Sequence, residues 1–183
     1  MAPWAQEIMD SFRGAKPDLE SDFTPAAYNK LLNTLFPVNT PYTVFPQVHH
    51  HSELSSTSPR TTFTIYYQHT PVFILDLFSY GSLTRLSARQ AAESHIRMHM
   101  RDLLPYCPLP MLNAVSVFGT RMAFYSVTPE SGIMPARIHS QDADKTGHEH
   151  TPADIWDCDV LEDDGAIRLK EVVNKIRNQC ENL

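Results

Sequence analysis

The run PVFILDLFS at residues 71–79 is the feature that most constrains the fold. It predicts a β-strand whose two faces are both apolar, apart from the acid Asp76. A strand of this kind is typical of the centre of a sheet that is covered on both sides. Because burying an unpaired carboxylate is costly, Asp76 is expected to have a partner or a role.

The flanking segments predict a single α/β domain with a mixed central sheet and flanking helices, in the order helix, three strands, helix, two strands, helix. Residues 62–68 and 72–78 are expected to pair as an antiparallel hairpin. A helix over residues 87–104, capped by Ser87, is expected to pack on that hairpin. Residues 1–22 are expected to form an N-terminal arm and residues 23–183 the domain.

Composition and charge narrow the functional classes. A chain of 183 residues can bury one sizeable core, and its net charge of −6 disfavours nucleic acid and anionic membranes as partners. No apolar run is long enough to span a bilayer, the first residues do not resemble a secretion signal, and the three cysteines are an odd number. An intracellular protein, cytoplasmic or nuclear and not secreted, is predicted. The oligomeric state stays open.

The pattern around Asp76 resembles the core of the PD-(D/E)XK nucleases. In that superfamily a hairpin and the helix after it bring two carboxylates and a lysine together beside a divalent metal. The chain is similar to a group of uncharacterised fungal proteins of this superfamily, and the resemblance implies a restriction-endonuclease-like core. The matching segments are YNKLLNTLFP, YTVFPQ, PVFILDLFS, RQAAESHIRMHMRDLLPYCPLP, AVSVFGTRMAFY and IWDCDVLEDDG.

Four positions depart from what the resemblance implies for an active nuclease. It implies Glu at Asp76, Lys at Phe78, an Asp near Thr62 and Gln at His95. Threonine cannot replace the second carboxylate, and phenylalanine cannot orient water or stabilise developing negative charge. A single carboxylate holds Mg²⁺ weakly against its hydration shell. The chain is therefore predicted to have lost nuclease activity.

The former metal site is instead predicted to bind a small organic molecule. Asp76 and His95 would be its catalytic pair, with the carboxylate orienting the imidazole for general acid–base chemistry. Isomerisation, cyclisation or elimination would suit such a pair, with no cofactor and no metal. The other residues expected to bind the ligand are Thr62, Tyr66, Ile74, Phe78, Met98 and His99.

Several alternatives stay open. The domain could be a non-catalytic module that binds protein or nucleic acid, or a residual metal-dependent nuclease. His95 could be a polar core residue and His99 a solvated one, although their spacing places them on one side of a helix. The histidine tracts at 49–51 and 148–150 are interpreted as solvated loops, with a surface metal site as the alternative.

Overall fold

The computed structural model describes residues 2–13, 25–49, 60–137 and 151–183. These residues form a single α/β domain around a mixed six-stranded sheet in the order β1 to β6, as the sequence predicts. All neighbouring strands are antiparallel except β3 and β4, which are parallel. The strands are β1 Tyr42–His49, β2 Arg60–Tyr67, β3 Thr70–Phe78, β4 Leu112–Phe118, β5 Arg121–Val127 and β6 Cys158–Asp159.

Four α-helices flank the sheet in the part of the chain that the structure describes. They are α1 Gln6–Arg13, α2 Pro25–Leu35, α3 Leu86–Leu103 and α4 Asp163–Cys180, and short 3₁₀ turns occupy Tyr80–Ser82, Leu104–Tyr106 and Ala153–Ile155. Within the same residues, no helix is both long enough and apolar enough to cross a membrane.

The predicted hairpin is confirmed by the pairing of β2 with β3. The turn between them is made by Gln68 and His69, both with positive φ, as is usual in a tight hairpin turn. The register places Thr62 directly opposite Asp76. Side chains of directly opposed residues lie on the same face of a sheet, so the hairpin brings this hydroxyl to the carboxylate.

Each face of the sheet is covered by helices, which explains why β3 is apolar on both sides. The face that carries Phe73 and Leu75 packs against buried side chains of α1, α2 and α4. The face that carries Ile74 and Phe78 packs against α3 and the fully buried Trp156. Asp76 lies on this second face, between Ile74 and Phe78, and α3 is the helix that was expected to pack there.

The expected start of one helix is wrong in detail. The backbone at Arg85 is extended and its carbonyl accepts the first helical hydrogen bonds, so α3 begins at Leu86 and Ser87 is not its cap. Asp163 and Asp164 form the first turn of α4, where their negative charge is favourable to the helix dipole. Gly165 is required for packing, since a Cβ at that position would overlap the carbonyl of Asp159.

The N-terminal segment contributes to the core through α1. Trp4, Ile8 and Phe12 are buried in the same cluster as the α2 and α4 side chains. The Trp4 indole donates a hydrogen bond of 2.6 Å to the carbonyl of Val160, near the other end of the chain. The expected boundary between residues 22 and 23 lies outside the described residues.

A buried ionic network fixes α3 to the segments around it. The Arg97 guanidinium donates to Glu93 Oε1 at 2.9 Å and to the Pro135 carbonyl at 2.6 Å, while Thr151 donates to Glu93 Oε2 at 3.1 Å. Arg89, also buried, donates to the carbonyl of Thr151. Arg89 and Arg97 therefore have structural roles.

Replacing Glu93 with Gln should destabilise the fold strongly, because it leaves the Arg97 charge buried without its counter-ion. Breaking a buried ion pair from one side costs about 3–5 kcal/mol, which urea denaturation would measure as a lower midpoint. The control is Asp10→Asn, which breaks an exposed pair with Arg13 and should cost no more than about 0.5 kcal/mol. Equal losses in the two variants would contradict a structural role for the network.

Candidate acid–base site

Asp76 is fully buried, and both of its carboxylate oxygens are hydrogen-bonded. Oδ1 accepts a bond of 2.6 Å from the Thr62 hydroxyl on β2. Oδ2 lies 2.7 Å from His95 Nδ1 on α3. The expectation that Asp76 and His95 lie within hydrogen-bonding distance is confirmed. The cost of burying the acid is offset by these two partners.

The contact with Asp76 determines which nitrogen of His95 can act on another molecule. A carboxylate only accepts hydrogen bonds, so His95 Nδ1 carries the proton that is directed at Oδ2. Nε2 lies on the far side of the ring, and 12% of the His95 side chain is exposed. When Nε2 takes up a proton, the adjacent carboxylate stabilises the resulting imidazolium, as in a catalytic Asp–His pair.

Two further histidines lie against His95. The His49 ring, at the end of β1, is centred 6.1 Å from it, and the His99 ring, one helical turn further along α3, is centred 5.9 Å away. Burial lowers the pKa of His99 and of His49, which favours their neutral forms. The buried Nδ1 of His99 has no hydrogen-bond partner among the described residues.

Arg60 supplies positive charge beside this group of histidines. In the register of the sheet it lies between His49 on β1 and Phe78 on β3, and its charge lowers the pKa of both His49 and His99. The buried Nε of Arg60 makes no hydrogen bond within the described part of the chain. The site therefore contains two buried nitrogens, one in the His99 ring and one in the Arg60 guanidinium, that have no hydrogen-bond partner among the described residues.

His49 and Arg60 were not identified as site residues from the sequence, because both were assigned to a polar loop. They are instead the last residue of β1 and the first residue of β2. The alternation of the strand could have identified Arg60, since it lies two positions before Thr62 and hence on the same face. His50, His51 and residues 148–150 lie outside the described residues.

The other predicted ligand residues differ in their surroundings. Phe78 is buried and packs against Phe118, with ring centroids 5.2 Å apart, and Ile74 is fully buried. Tyr66 is half-buried, and Met98 is 53% exposed on the outer side of α3. The structure thus brings Thr62, Asp76, His95 and His99 together.

The described residues around Asp76 do not form a metal centre. Among the described residues, no group of three or more His, Cys, Asp or Glu side chains is placed to hold a metal ion.

Comparison with known proteins does not assign the chain to a family. No protein-family model matches it, no curated protein is significantly similar to it, and no solved structure matches it. The relationship to the PD-(D/E)XK nucleases therefore stays a prediction from the sequence.

The purified protein should not degrade single- or double-stranded DNA or RNA in the presence of Mg²⁺ or Mn²⁺. Thr62 supplies no second carboxylate and Asp76 is engaged on both oxygens. Phe78→Lys alone should not create cleavage, because the second carboxylate would still be missing. Metal-dependent cleavage that Asp76→Ala abolishes, measured on labelled substrates, would overturn this prediction.

The stability of the fold should fall as the pH drops below 6.5, the ordinary pKa of a histidine side chain. The pKa values of His49 and His99 are lowered in the folded protein, so the unfolded chain takes up more protons over that range. The full contribution of the two neutral histidines to stability is present above pH 6.5. It is lost as the pH falls through the pKa values that His49 and His99 have in the folded protein.

Urea unfolding at about pH 7.5 and about pH 5.5 would measure this effect as a change in the free energy of unfolding. The double variant His49→Gln/His99→Gln should show a smaller drop than the wild type. An equal drop in both proteins would rule out these histidines as its source.

Proposed function

We propose that the chain is a nuclease-inactive PD-(D/E)XK-like domain whose former metal site performs cofactor-free acid–base chemistry on a small organic molecule. The observation that carries the proposal is the buried series Thr62–Asp76–His95, with bonds of 2.6 and 2.7 Å. This series holds the imidazole in one tautomer and one orientation, which a general base requires.

The arrangement of elements supports the relationship to the nucleases. The β2–β3 hairpin carries the acid on its second strand, and α3 follows and packs over the acid. Thr62 and Phe78 occupy the places where the resemblance implies a second carboxylate and a lysine. The hydroxyl of Thr62 now bonds to the remaining acid, and Phe78 extends the hydrophobic core.

The chemistry would begin with proton abstraction by His95 Nε2 from a carbon or hydroxyl of the substrate. Asp76 stabilises the imidazolium formed, and the same nitrogen then returns the proton to another atom of the substrate. Returning it to a different carbon gives isomerisation, and returning it to a departing hydroxyl gives elimination with loss of water. No electron is gained or lost overall, so no redox partner is needed.

The free nitrogens beside His95 suggest a substrate with a carbonyl or carboxylate group. Arg60 Nε and His99 Nδ1 are buried and without partners in the described structure. An oxygen of the substrate would satisfy the Arg60 donor, and the guanidinium would stabilise negative charge that develops when a proton is removed next to a carbonyl. A neutral hydrocarbon would leave this donor unpaired.

A protein-binding module is the second candidate, and exposed apolar residues on β1 favour it. β1 is an edge strand of the sheet, and Phe45 and Val48 are 48% and 54% exposed on it. Apolar side chains on an exposed edge strand are typical of surfaces that contact another protein. This function would not require His95 to exchange protons with a ligand.

Proton exchange with solvent distinguishes the two candidates. In deuterated water, the protein should catalyse deuterium incorporation next to the carbonyl of at least one compound in pooled keto acids and hydroxy acids, followed by mass spectrometry. His95→Gln should abolish the incorporation, and Asp76→Asn should reduce it by a factor of about 10²–10⁴, since the imidazole loses its orienting carboxylate.

The matched control is His69→Asn, which removes an exposed imidazole from the β2–β3 turn, at the opposite end of the hairpin from Thr62 and Asp76. It should leave the incorporation unchanged. The proposal would be overturned if no compound took up deuterium, or if His95→Gln catalysed the uptake as well as the wild type does. The binding module would then be the better account.

A further inference from the structure

A groove that is separate from the Asp76 site lies where β4 begins and β5 ends. It has a volume of about 380 Å³ and lies where the β4 and β5 strands meet α4 and the chain at Met134 and Pro135. Its walls include Asn113 and Phe124 of the sheet and Arg168 and Val172 of α4. This volume falls in the range of small-molecule sites in proteins.

Asn113 is an unexpected residue for its position. It is paired with Phe73 across β3–β4, on the face where its neighbours along β4 are the fully buried Val115 and Val117. Asn113 itself is only 8% exposed, and its Nδ2 makes no hydrogen bond to any described residue. An unpaired buried amide lowers stability, and a bound ligand is one partner that would satisfy this donor.

The positively charged side chain of Arg168 lines the same groove. The Arg168 guanidinium lies 4.3 Å from the centre of the Phe124 ring, a cation–π contact that holds it at the wall. Its Nη1 also approaches Asp157 Oδ1 at 3.5 Å and Cys158 Sγ at 3.1 Å. Both partners of the Asp157 contact are about half exposed, so this ion pair is weak and can yield to a ligand.

We infer that the groove binds a small organic carboxylate. Its carboxylate would accept from Asn113 Nδ2 and pair with Arg168, and its apolar body would pack against Phe124 and Val172. One neutral donor and one guanidinium suit a single carboxylate, whereas a phosphate needs more donors to satisfy its oxygens. The inference does not depend on the proposed chemistry at His95.

Benzoate is a suitable probe, with benzamide as its uncharged counterpart. In ¹H–¹⁵N NMR titrations of the full chain, benzoate should shift the amide signals of residues that line the groove, with a dissociation constant of about 1 mM or lower. Benzamide should bind at least about tenfold more weakly, because it lacks the charge that pairs with Arg168.

Variants at the groove test the two polar contacts separately. Asn113→Leu and Arg168→Gln should each weaken benzoate binding at least about tenfold, and the control Lys175→Gln, an exposed cation further along α4, should change it less than about twofold. His95→Gln should bind benzoate as the wild type does, which separates this inference from the proposed function.

The stability of the free protein gives a second readout. Asn113→Leu should raise the melting temperature, because an apolar side chain replaces an amide without a partner. If this variant fails to fold, the result contradicts an unpaired amide, and Arg168→Gln still decides the carboxylate contact. Benzoate that does not bind, that binds as tightly to both groove variants, or that shifts signals elsewhere would overturn the inference.

Discussion

The buried carboxylate of Asp76 is the interaction on which the candidate site depends. It joins three elements, because Thr62 belongs to β2, Asp76 to β3 and His95 to α3. An acid that is fully buried tolerates little displacement of its partners, since each lost hydrogen bond leaves a charged group unsatisfied. The position of α3 over the hairpin is therefore coupled to the orientation of the His95 ring.

The helix α3 carries two pairs of polar side chains that have different roles. Glu93 and Arg97 are buried against the chain at Pro135 and Thr151, where they satisfy each other and nearby backbone carbonyls. His95 follows Glu93 by two residues, and His99 follows Arg97 by two residues. The two histidines therefore face a different side of the helix. The first pair fixes the helix in place, and the second pair uses that fixed position to present imidazole nitrogens.

Most of the fold follows from alternation and helical spacing in the sequence. The two-sided apolar pattern of residues 72–78 correctly indicated a central strand, and an acid within it correctly indicated a partner, which proved to include His95. Positions where strands begin and end were harder to predict, because polar residues such as His49 and Arg60 are compatible with both a loop and a strand end. The packing role of Gly165 could not be predicted, because the close approach of the Asp159 carbonyl depends on how α4 packs against β6.

Each face of the sheet has a buried polar side chain within an apolar layer. Asp76 lies within the apolar layer on one face, and Asn113 lies within the apolar layer on the other. Asp76 has its partners within the chain, so its burial fixes geometry, whereas the amide of Asn113 has no partner among the described residues. Replacing Asp76 alone with an apolar residue would leave the Thr62 hydroxyl and the His95 ring nitrogen without their partner, whereas an apolar residue in place of Asn113 would deprive no described partner of the Asn113 Nδ2 donor. The fold alone therefore does not require the amide of Asn113, whereas the contacts of Asp76 are part of how α3 packs on the sheet. In the two proposals made above, Asp76 orients a base and Asn113 offers a hydrogen-bond donor to a ligand.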